Sequence, residues 1–371
     1  MNGSLQLDRK LSPLKNSPKT DYIHAAYGVI NTLERIANIC EDSFPLFASA
    51  QDGQWKLSSG GSWMGGFWSG CWWLRARLSG QLSDRYAASS IIERLTPKLY
   101  SDTIFRSMIY WYAVAPGIRF FEDSQSIEIA KQAAQALAPS YNSQWQCYPM
   151  GSALGGGEAG KNTLNIDAFA ALIQILQYGS PKVQDTARGH ADSVIQYMTN
   201  FYGDFYTNVI LGESHIEVKG PAGNWARGHS WGLLGLCSTA CLWGKSYQEL
   251  AETRCQQWLK KYADRFPRNR VYGDRNRLDP SASLIAALAM YKLSSCPNTR
   301  LDWRKKADSI VRRLIESEYF KVDKQSHEAR FTGCCFRINA KEEILGETIW
   351  GYFFLLQALL TAANLIDPDD I

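Results

Sequence analysis

The sequence predicts an all-α fold, an (α/α)6 barrel built from six helical hairpins, and three observations carry that expectation. About twelve segments between residues 21 and 364 show helical apolar spacing. Some of these are apolar along one stripe while others are apolar nearly all round, as outer and inner helices of a two-layer toroid would be. Short polar turns such as SGQLSD (79–84) and WGKS (243–246) join neighbours antiparallel.

The helices are expected near 21–40, 66–79, 84–98, 107–121, 124–137, 165–178, 181–201, 228–243, 246–265, 280–294, 301–317 and 347–364. In 246–265, Tyr247, Leu250, Ala251, Cys255, Trp258, Leu259 and Tyr262 fall on one stripe. In 301–317, Trp303, Ala307, Ile310, Val311, Leu314 and Ile315 do the same, and Arg304, Lys305, Lys306, Arg312 and Arg313 cover the other side. Segments 229–243, 280–293 and 348–363 are apolar nearly all round and must be enclosed by other helices. Asp279 before Pro280 reads as an N-cap followed by a first-turn proline. Gly179, Ser180 and Pro181 end one helix and begin the next. The segments 41–65, 138–163, 202–227, 266–279 and 319–346 read as rim loops. A flexible N-terminal arm (1–20) precedes a single barrel domain (21–371).

Composition narrows the function. The 371 residues carry 40 basic and 36 acidic side chains, a net charge of +4, too small for a nucleic-acid footprint. With 45% apolar and 20% charged residues the chain has a globular composition. The opening MNGSLQLDRKLSPLKNSPKT holds no continuous apolar segment, and no later run reaches the ~18 apolar residues of a membrane span. Nine cysteines, an odd number scattered through helical stretches, suit a reducing compartment, and a cytoplasmic location is expected. The vicinal Cys334 and Cys335 have no assigned role. A monomer or homodimer is expected.

Several chemistries find no motif. GSALGGGEAGKNT (151–163) follows no strand and is not a phosphate loop. The five histidines (His24, His190, His215, His229 and His327) include no i, i+4 pair and there is no CxxC, so no metal site is expected. There is no GxSxG elbow.

Carboxylate chemistry remains. Asp167, in NTLNIDAFAALIQIL (162–176), stands at the start of an inner helix in apolar surroundings, where desolvation raises a carboxyl towards a pKa useful for proton donation. The alternative is an aspartate serving the helix dipole and a local turn. Glu158, Asp279 and Glu347 are further acids near helix starts, each open to a capping role. GFWSGCWW (66–73), NWARGHSW (224–231) and TIWGYFF (348–354) open inner helices with aromatics and glycine. They bring Trp63, Phe67, Trp68, Trp225, Trp231 and Trp350 towards one mouth, either as a ligand lining or as packing between layers. Arg227, between Trp225 and Trp231, reads as a clamp for a ligand carboxylate or as the partner of Asp167 or Glu347.

In these stretches, SWMGGFWSGCWWL (62–74), NTLNIDAFAALIQIL (162–176), NWARGHSWGLLGL (224–236), DPSASLIAALAMYKL (279–293) and ETIWGYFFLLQALL (347–360), the sequence resembles the unsaturated glucuronyl hydrolases, glycoside hydrolase family 88, and the related unsaturated rhamnogalacturonyl hydrolases. The resemblance covers about residues 21–365 and implies an (α/α)6 barrel. It implies an enzyme that hydrates the C4=C5 bond of a 4,5-unsaturated uronic acid: an aspartic acid protonates C4, water adds at C5, and the hemiketal opens to release the sugar. Asp167 matches that aspartic acid, and Trp225, Arg227 and Trp231 match the sugar-subsite lining. Trp63, Trp68, Trp350 and Glu347 complete the expected substrate-binding set. No cofactor is implied, and the expected partner is a small-molecule or oligosaccharide substrate.

The chain departs from the family pattern at several places. Gly65 stands where the WTDGFWSG motif has a second aspartate. RSMIYWY (106–112) replaces a histidine-aspartate motif, EVKGPAG (217–223) replaces a loop carrying a substrate-binding histidine, and His229 replaces a glutamine. His229 is a candidate for proton transfer, or a residue bonded only to the backbone. Two other functions stay open: a diverged hydration, dehydration, isomerisation or cyclisation on a non-uronate substrate, and an inactive sugar-binding protein.

Overall fold

The computed structural model describes residues 18–271, 277–337 and 343–371. In chain order, α1 (Pro18–Cys40) precedes the hairpin of α2 (Gly65–Ser79) with α3 (Leu82–Leu95) and that of α4 (Arg106–Phe121) with α5 (Ser124–Leu137). After a single turn, α6 (Gly157–Gly160), come α7 (Phe169–Ile175) with α8 (Pro181–Tyr197), α9 (Ala226–Trp243) with α10 (Lys245–Tyr262), and α11 (Pro280–Ser294) with α12 (Trp303–Ile315). The last helix, α13 (Ile349–Ala362), packs on α1 to make the sixth pair.

The inner layer is a closed ring: α2 packs on α4, α4 on α7, α7 on α9, α9 on α11, α11 on α13, and α13 returns to α2. Each inner helix also packs on its outer partner, which makes the fold the expected (α/α)6 barrel. The periodicity accounts for the layering. On α10, Tyr247, Ala251, Cys255 and Trp258 are buried, and on α12, Trp303, Ala307, Ile310, Val311 and Leu314 are. The inner helices α9, α11 and α13 are buried over most of their length. Each large apolar side chain removed from water in this way contributes about 1.5–3 kcal/mol. The close approach of α2 to α4 requires glycine. A Cβ on Gly66 would stand 1.8 Å from the Ile109 carbonyl oxygen, and one on Gly70 would stand 2.4 Å from that of Tyr112.

The rim loops hold more order than their sequences suggest. They contain β1 (Phe44–Ser49), β2 (Trp55–Ser58), β3 (Thr163–Asn165), β4 (Asn208–Leu211), β5 (Ile216–Lys219), β6 (Phe320–Val322), β7 (Ala329–Phe331), β8 (Cys334–Arg337) and β9 (Glu343–Thr348). All pairings are antiparallel, in sheets ordered β2-β1-β9-β8, β3-β4-β5 and β6-β7. The first sheet ties the start of the chain to its end, with Ala48 opposite Glu347. Strands of three to six residues are too short to leave a period-two signature, which is why these segments read as loops.

Most helix bounds shift by a few residues, and three differences bear on the site or its surroundings. Residues 18–20, assigned to the arm, already belong to α1, while 1–17 lie outside the described residues. The segment 165–178 starts its helix only at Phe169, because β3 and a turn occupy its beginning, and it ends in a 3-10 turn (Leu176–Tyr178). Asp279 precedes α11 with Pro280 in the first turn, but its carboxylate does not cap the helix; it serves an ion pair instead. No described helix is long and apolar enough to cross a membrane.

Candidate active site

Five inner helices are followed by an outer helix running back and the sixth, α13, is preceded by its outer partner α1, so the inner N-termini share one end of the barrel, the end that also carries β1, β3, β4 and β9. The axis below this mouth is filled. Phe67 of α2 stacks on Tyr112 of α4 with centroids 4.4 Å apart, Phe353 and Phe354 of α13 meet both rings edge-on, and Trp231 of α9 lies 5.4 Å from Phe354. Rings from four inner helices can meet only at the barrel centre, so Trp231 is part of a buried aromatic plug beneath the mouth.

Arg227, one turn above Trp231, organises the mouth. Its Nη1 donates to Asp279 Oδ2 at 2.8 Å and to the Cys335 carbonyl oxygen at 2.5 Å. Its guanidinium lies over Trp225 at 4.9 Å and over Trp350 at 4.8 Å. The expected pairing with Asp167 or Glu347 is therefore replaced by one with Asp279, and the second flanking indole is Trp350 rather than Trp231. Asp279 is fully buried and also accepts from the Ser281 hydroxyl. Burial pushes its carboxyl pKa upward, and the Arg227 guanidinium opposes that.

Asp167 occupies the turn between β3 and α7. Its backbone N–H donates to Asn165 Oδ1 at 2.9 Å, and Asn165 Nδ2 in turn donates to Asn208 Oδ1 on β4 at 2.8 Å, so the strand pairing fixes the turn. The residue is half-buried, yet its Oδ1 is closed off and has no hydrogen-bond partner among the described residues. Burial raises the carboxyl pKa from 3.8 to about 7, against the opposing pull of Arg227 and Arg270. Such a group carries a proton near neutral pH and has an acceptor to offer once the proton leaves.

Arg270, from the loop before α11, was not among the sequence candidates. Its guanidinium also lies over the Trp225 ring, 5.3 Å from the centroid, and residues 225 and 270 form a β-bridge. The signal that could have found it is the basic run PRNR (267–270) in a mouth loop. Asn165 was also missed; it lies two residues before the candidate acid in NTLNID.

The other candidates separate. Trp225 is half-buried and Trp350 buried, both against Arg227. Trp63 is half-buried, edge-on to Phe67 at 6.0 Å, on the plug's rim. Trp68 is buried, edge-on to Trp72, and Arg75 lies over Trp72 while pairing with Glu34 of α1 and Asp84 of α3, so Trp68 packs between layers and not at the mouth. Glu347 is not available to a ligand: Oε1 accepts from Arg330 Nε at 2.8 Å and Nη2 at 2.5 Å, and Oε2 accepts from the Tyr352 hydroxyl. Glu158 is exposed and paired with Lys161.

His229 faces the outer layer. Its ring stacks on Trp258 of α10 with centroids 5.7 Å apart, and Nδ1 accepts from the Phe205 N–H at 3.3 Å. Burial lowers its pKa to about 4, so the imidazole is neutral at physiological pH. Of its two expected roles, the structure supports the backbone-bonded one. Gly65 faces Leu95 and Phe44: a Cβ there would stand 2.6 Å from Leu95 Cδ2 and 3.3 Å from Phe44 Cδ1. In RSMIYWY, Arg106 donates to the carbonyls of Thr103, Leu99 and Ala136, and Ser107 to that of Ile104, so neither supplies a second acid.

A twelve-helix, six-hairpin toroid with a carboxyl, arginines and indoles at its mouth places the chain among the (α/α)6 barrels. No protein-family model matches the chain. It is 25% identical over 359 residues to an unsaturated chondroitin disaccharide hydrolase of Streptococcus pyogenes serotype M1, covering 86% of both chains. It is 22% identical over 347 residues to an unsaturated glucuronyl hydrolase of Bacillus sp. strain GL1, covering 86% of this chain and 90% of that protein. Among solved structures, an unsaturated glucuronyl hydrolase specific for heparin superposes with a TM-score of 0.81 at 20% identity over 94% of this chain and 99% of that one. The Bacillus sp. GL1 enzyme superposes at 0.79 and 18% identity over 92% and 96%. The chain is thus similar in sequence to unsaturated glucuronyl and unsaturated chondroitin disaccharide hydrolases, and it shares the fold of the solved unsaturated glucuronyl hydrolases.

Proposed function

We propose that this chain hydrates the C4=C5 enol ether of a 4,5-unsaturated uronic acid at the end of a short oligosaccharide, with Asp167 as the proton donor. The observation that carries the reading is the Asp167 carboxyl itself, raised to about 7 by burial, with an Oδ1 that has no partner among the described residues, at a mouth lined by Trp225 and two arginines. The neutral acid delivers its proton to C4. The resulting carboxylate then faces an oxocarbenium centre at C5 and takes a proton from the attacking water, which returns it to the acid form. One carboxyl therefore completes the cycle, and the hemiketal formed at C5 opens and releases the sugar. This economy fits a site in which Gly65 and residues 106–112 offer no second acid.

A uronate substrate carries a carboxylate, and the two guanidiniums flanking Trp225 supply the complementary field. Both guanidiniums are assigned to the substrate carboxylate, Arg227 while it also holds Asp279. The names of the relatives point the same way, to unsaturated disaccharides of chondroitin type. The test follows the ultraviolet absorbance of the conjugated enol ether in an unsaturated chondroitin disaccharide. Wild type should consume it and Asp167→Asn should lose about 10²–10⁴-fold in kcat/KM. Undiminished turnover by Asp167→Asn would overturn the reading.

A further inference from the structure

The ends of the inner helices opposite the mouth hold a cluster of sulfur atoms that the carboxyl chemistry does not use. Cys241 lies in the last turn of α9 and Cys296 just beyond α11, and their Sγ atoms are 3.6 Å apart. The Cys241 thiol is also 3.4 Å from the Lys292 carbonyl oxygen and 3.7 Å from Ser295 Oγ. Cys241 is exposed and Cys296 nearly buried, and both line a cavity of about 470 Å³ with Gln248, Glu252 and Arg300. One turn back along α9, Cys237 faces Cys255 of α10 at 3.7 Å, but both of these are fully buried.

We propose that Cys241 and Cys296 form a peroxide-reactive dithiol, with Cys241 the attacked sulfur and Cys296 the resolving one. Three features support it. The two sulfur atoms are in direct contact at 3.6 Å, against about 2.05 Å in a disulfide. The cavity admits a small oxidant to Cys241. A hydrogen bond from Cys296 and the buried Lys292 ammonium hold the Cys241 thiol below its ordinary range, while accepting that role pushes Cys296 upward. The Lys292 ammonium itself donates to the Ile371 carbonyl oxygen.

The chemistry balances with hydrogen peroxide as oxidant. The Cys241 thiolate attacks one peroxide oxygen, the O–O bond breaks, hydroxide leaves, and Cys241 becomes a sulfenic acid. The Cys296 sulfur then displaces that hydroxyl, its proton leaving with it as water, and a disulfide joins the two residues. Each sulfur has lost one electron, and the peroxide has been reduced to water. Arg227 and Cys241 are separated by 14 residues of helix at 1.5 Å each, roughly 20 Å, so the dithiol and the substrate mouth are independent sites.

The experiment treats the folded full chain with hydrogen peroxide, blocks remaining thiols by alkylation, and maps the peptides by mass. The expected product is a Cys241–Cys296 cross-linked peptide lighter by two hydrogen atoms and restored by dithiothreitol. Loss of the Cys241 thiol should run at least ~10-fold faster than loss of Cys237 or Cys255. In Cys296→Ser the reaction should stop at a Cys241 sulfenic acid, captured by a cyclic 1,3-dione, and in Cys241→Ser the Cys296 thiol should survive. Wild-type alkylation rates provide a readout that needs no variant: Cys241 should again react fastest. Cys241 and Cys296 persisting as thiols while other cysteines oxidise, or a link from Cys241 to a different cysteine, would overturn the proposal.

Discussion

Replacing Asp167 by Asn tests the physics of the site without any substrate. The carboxyl titrates at 3.8 when exposed and at about 7 in the folded chain, a difference of about 3 pH units. At about 1.36 kcal/mol per unit this corresponds to about 4 kcal/mol, an upper figure because the residue keeps some exposure. Below pH 3.8 the group is neutral in both states and contributes no difference. Between 3.8 and about 7 the unfolded chain has lost the proton and the folded chain retains it, so stability falls as pH rises through that window and stays low above it. Asparagine is uncharged throughout. The variant should therefore match wild type at pH 3.8 and gain up to about 4 kcal/mol by pH 8.5. For 371 residues at about 2.1 cal/mol/K each, that gain raises Tm by about 5 °C. Paired thermal melts across pH 4–8.5 measure it. A Tm difference that does not grow with pH would refute the claim that this carboxyl is held neutral by desolvation. A stability gain together with lost turnover is the pattern of a site that holds strain for function.

Four further outcomes follow from the same geometry. Arg227→Met leaves the Asp279 carboxylate buried without its cation and should cost about 3–5 kcal/mol, seen as a lower denaturation midpoint; an unchanged midpoint would mean the pair is not formed. Gly65→Asp should not restore a second acid, because the new Cβ meets Leu95; overpacking of about 1–3 kcal/mol with no rise in kcat/KM is expected, and a large rise would show that the loop opens towards the substrate. Arg270→Ala removes a charge that lowers the Asp167 pKa, so the alkaline limb of the pH–rate profile should move to higher pH while KM rises; movement to lower pH would contradict the assignment. The His229 imidazole should titrate near pH 4 by proton NMR, and a midpoint near neutrality would reopen a proton-transfer role.

How much of this was legible in the sequence depends on the range of the interaction. The stripes of α10 and α12 are local, three to four residues apart, and the buried faces are those the spacing indicates. The aromatic openings of α2, α9 and α13 were legible for the same reason, and they do mark the mouth, although Trp68 and Trp231 turn away from its lining. Pairings over long separations were not legible. The strand β1 finds β9 about 300 residues later, and nothing local in FPLFAS announces it.

The acids show why this distinction decides function. Asp167, Asp279 and Glu347 all stand at the openings of inner segments beside apolar residues, and by sequence each is equally a cap, an ion-pair partner or a proton donor. The structure gives Asp279 a guanidinium from α9 and Glu347 a guanidinium from β7, each from a residue distant in space-blind reading. A carboxylate held by a guanidinium at hydrogen-bond distance has its oxygens committed to that pairing and is not free to approach a ligand. Asp167 feels Arg227 and Arg270 only at longer range, and its Oδ1 finds no donor among the described residues. The candidate acid is therefore singled out by the partners its two neighbours acquired, which is a property of the closed ring and not of any one segment.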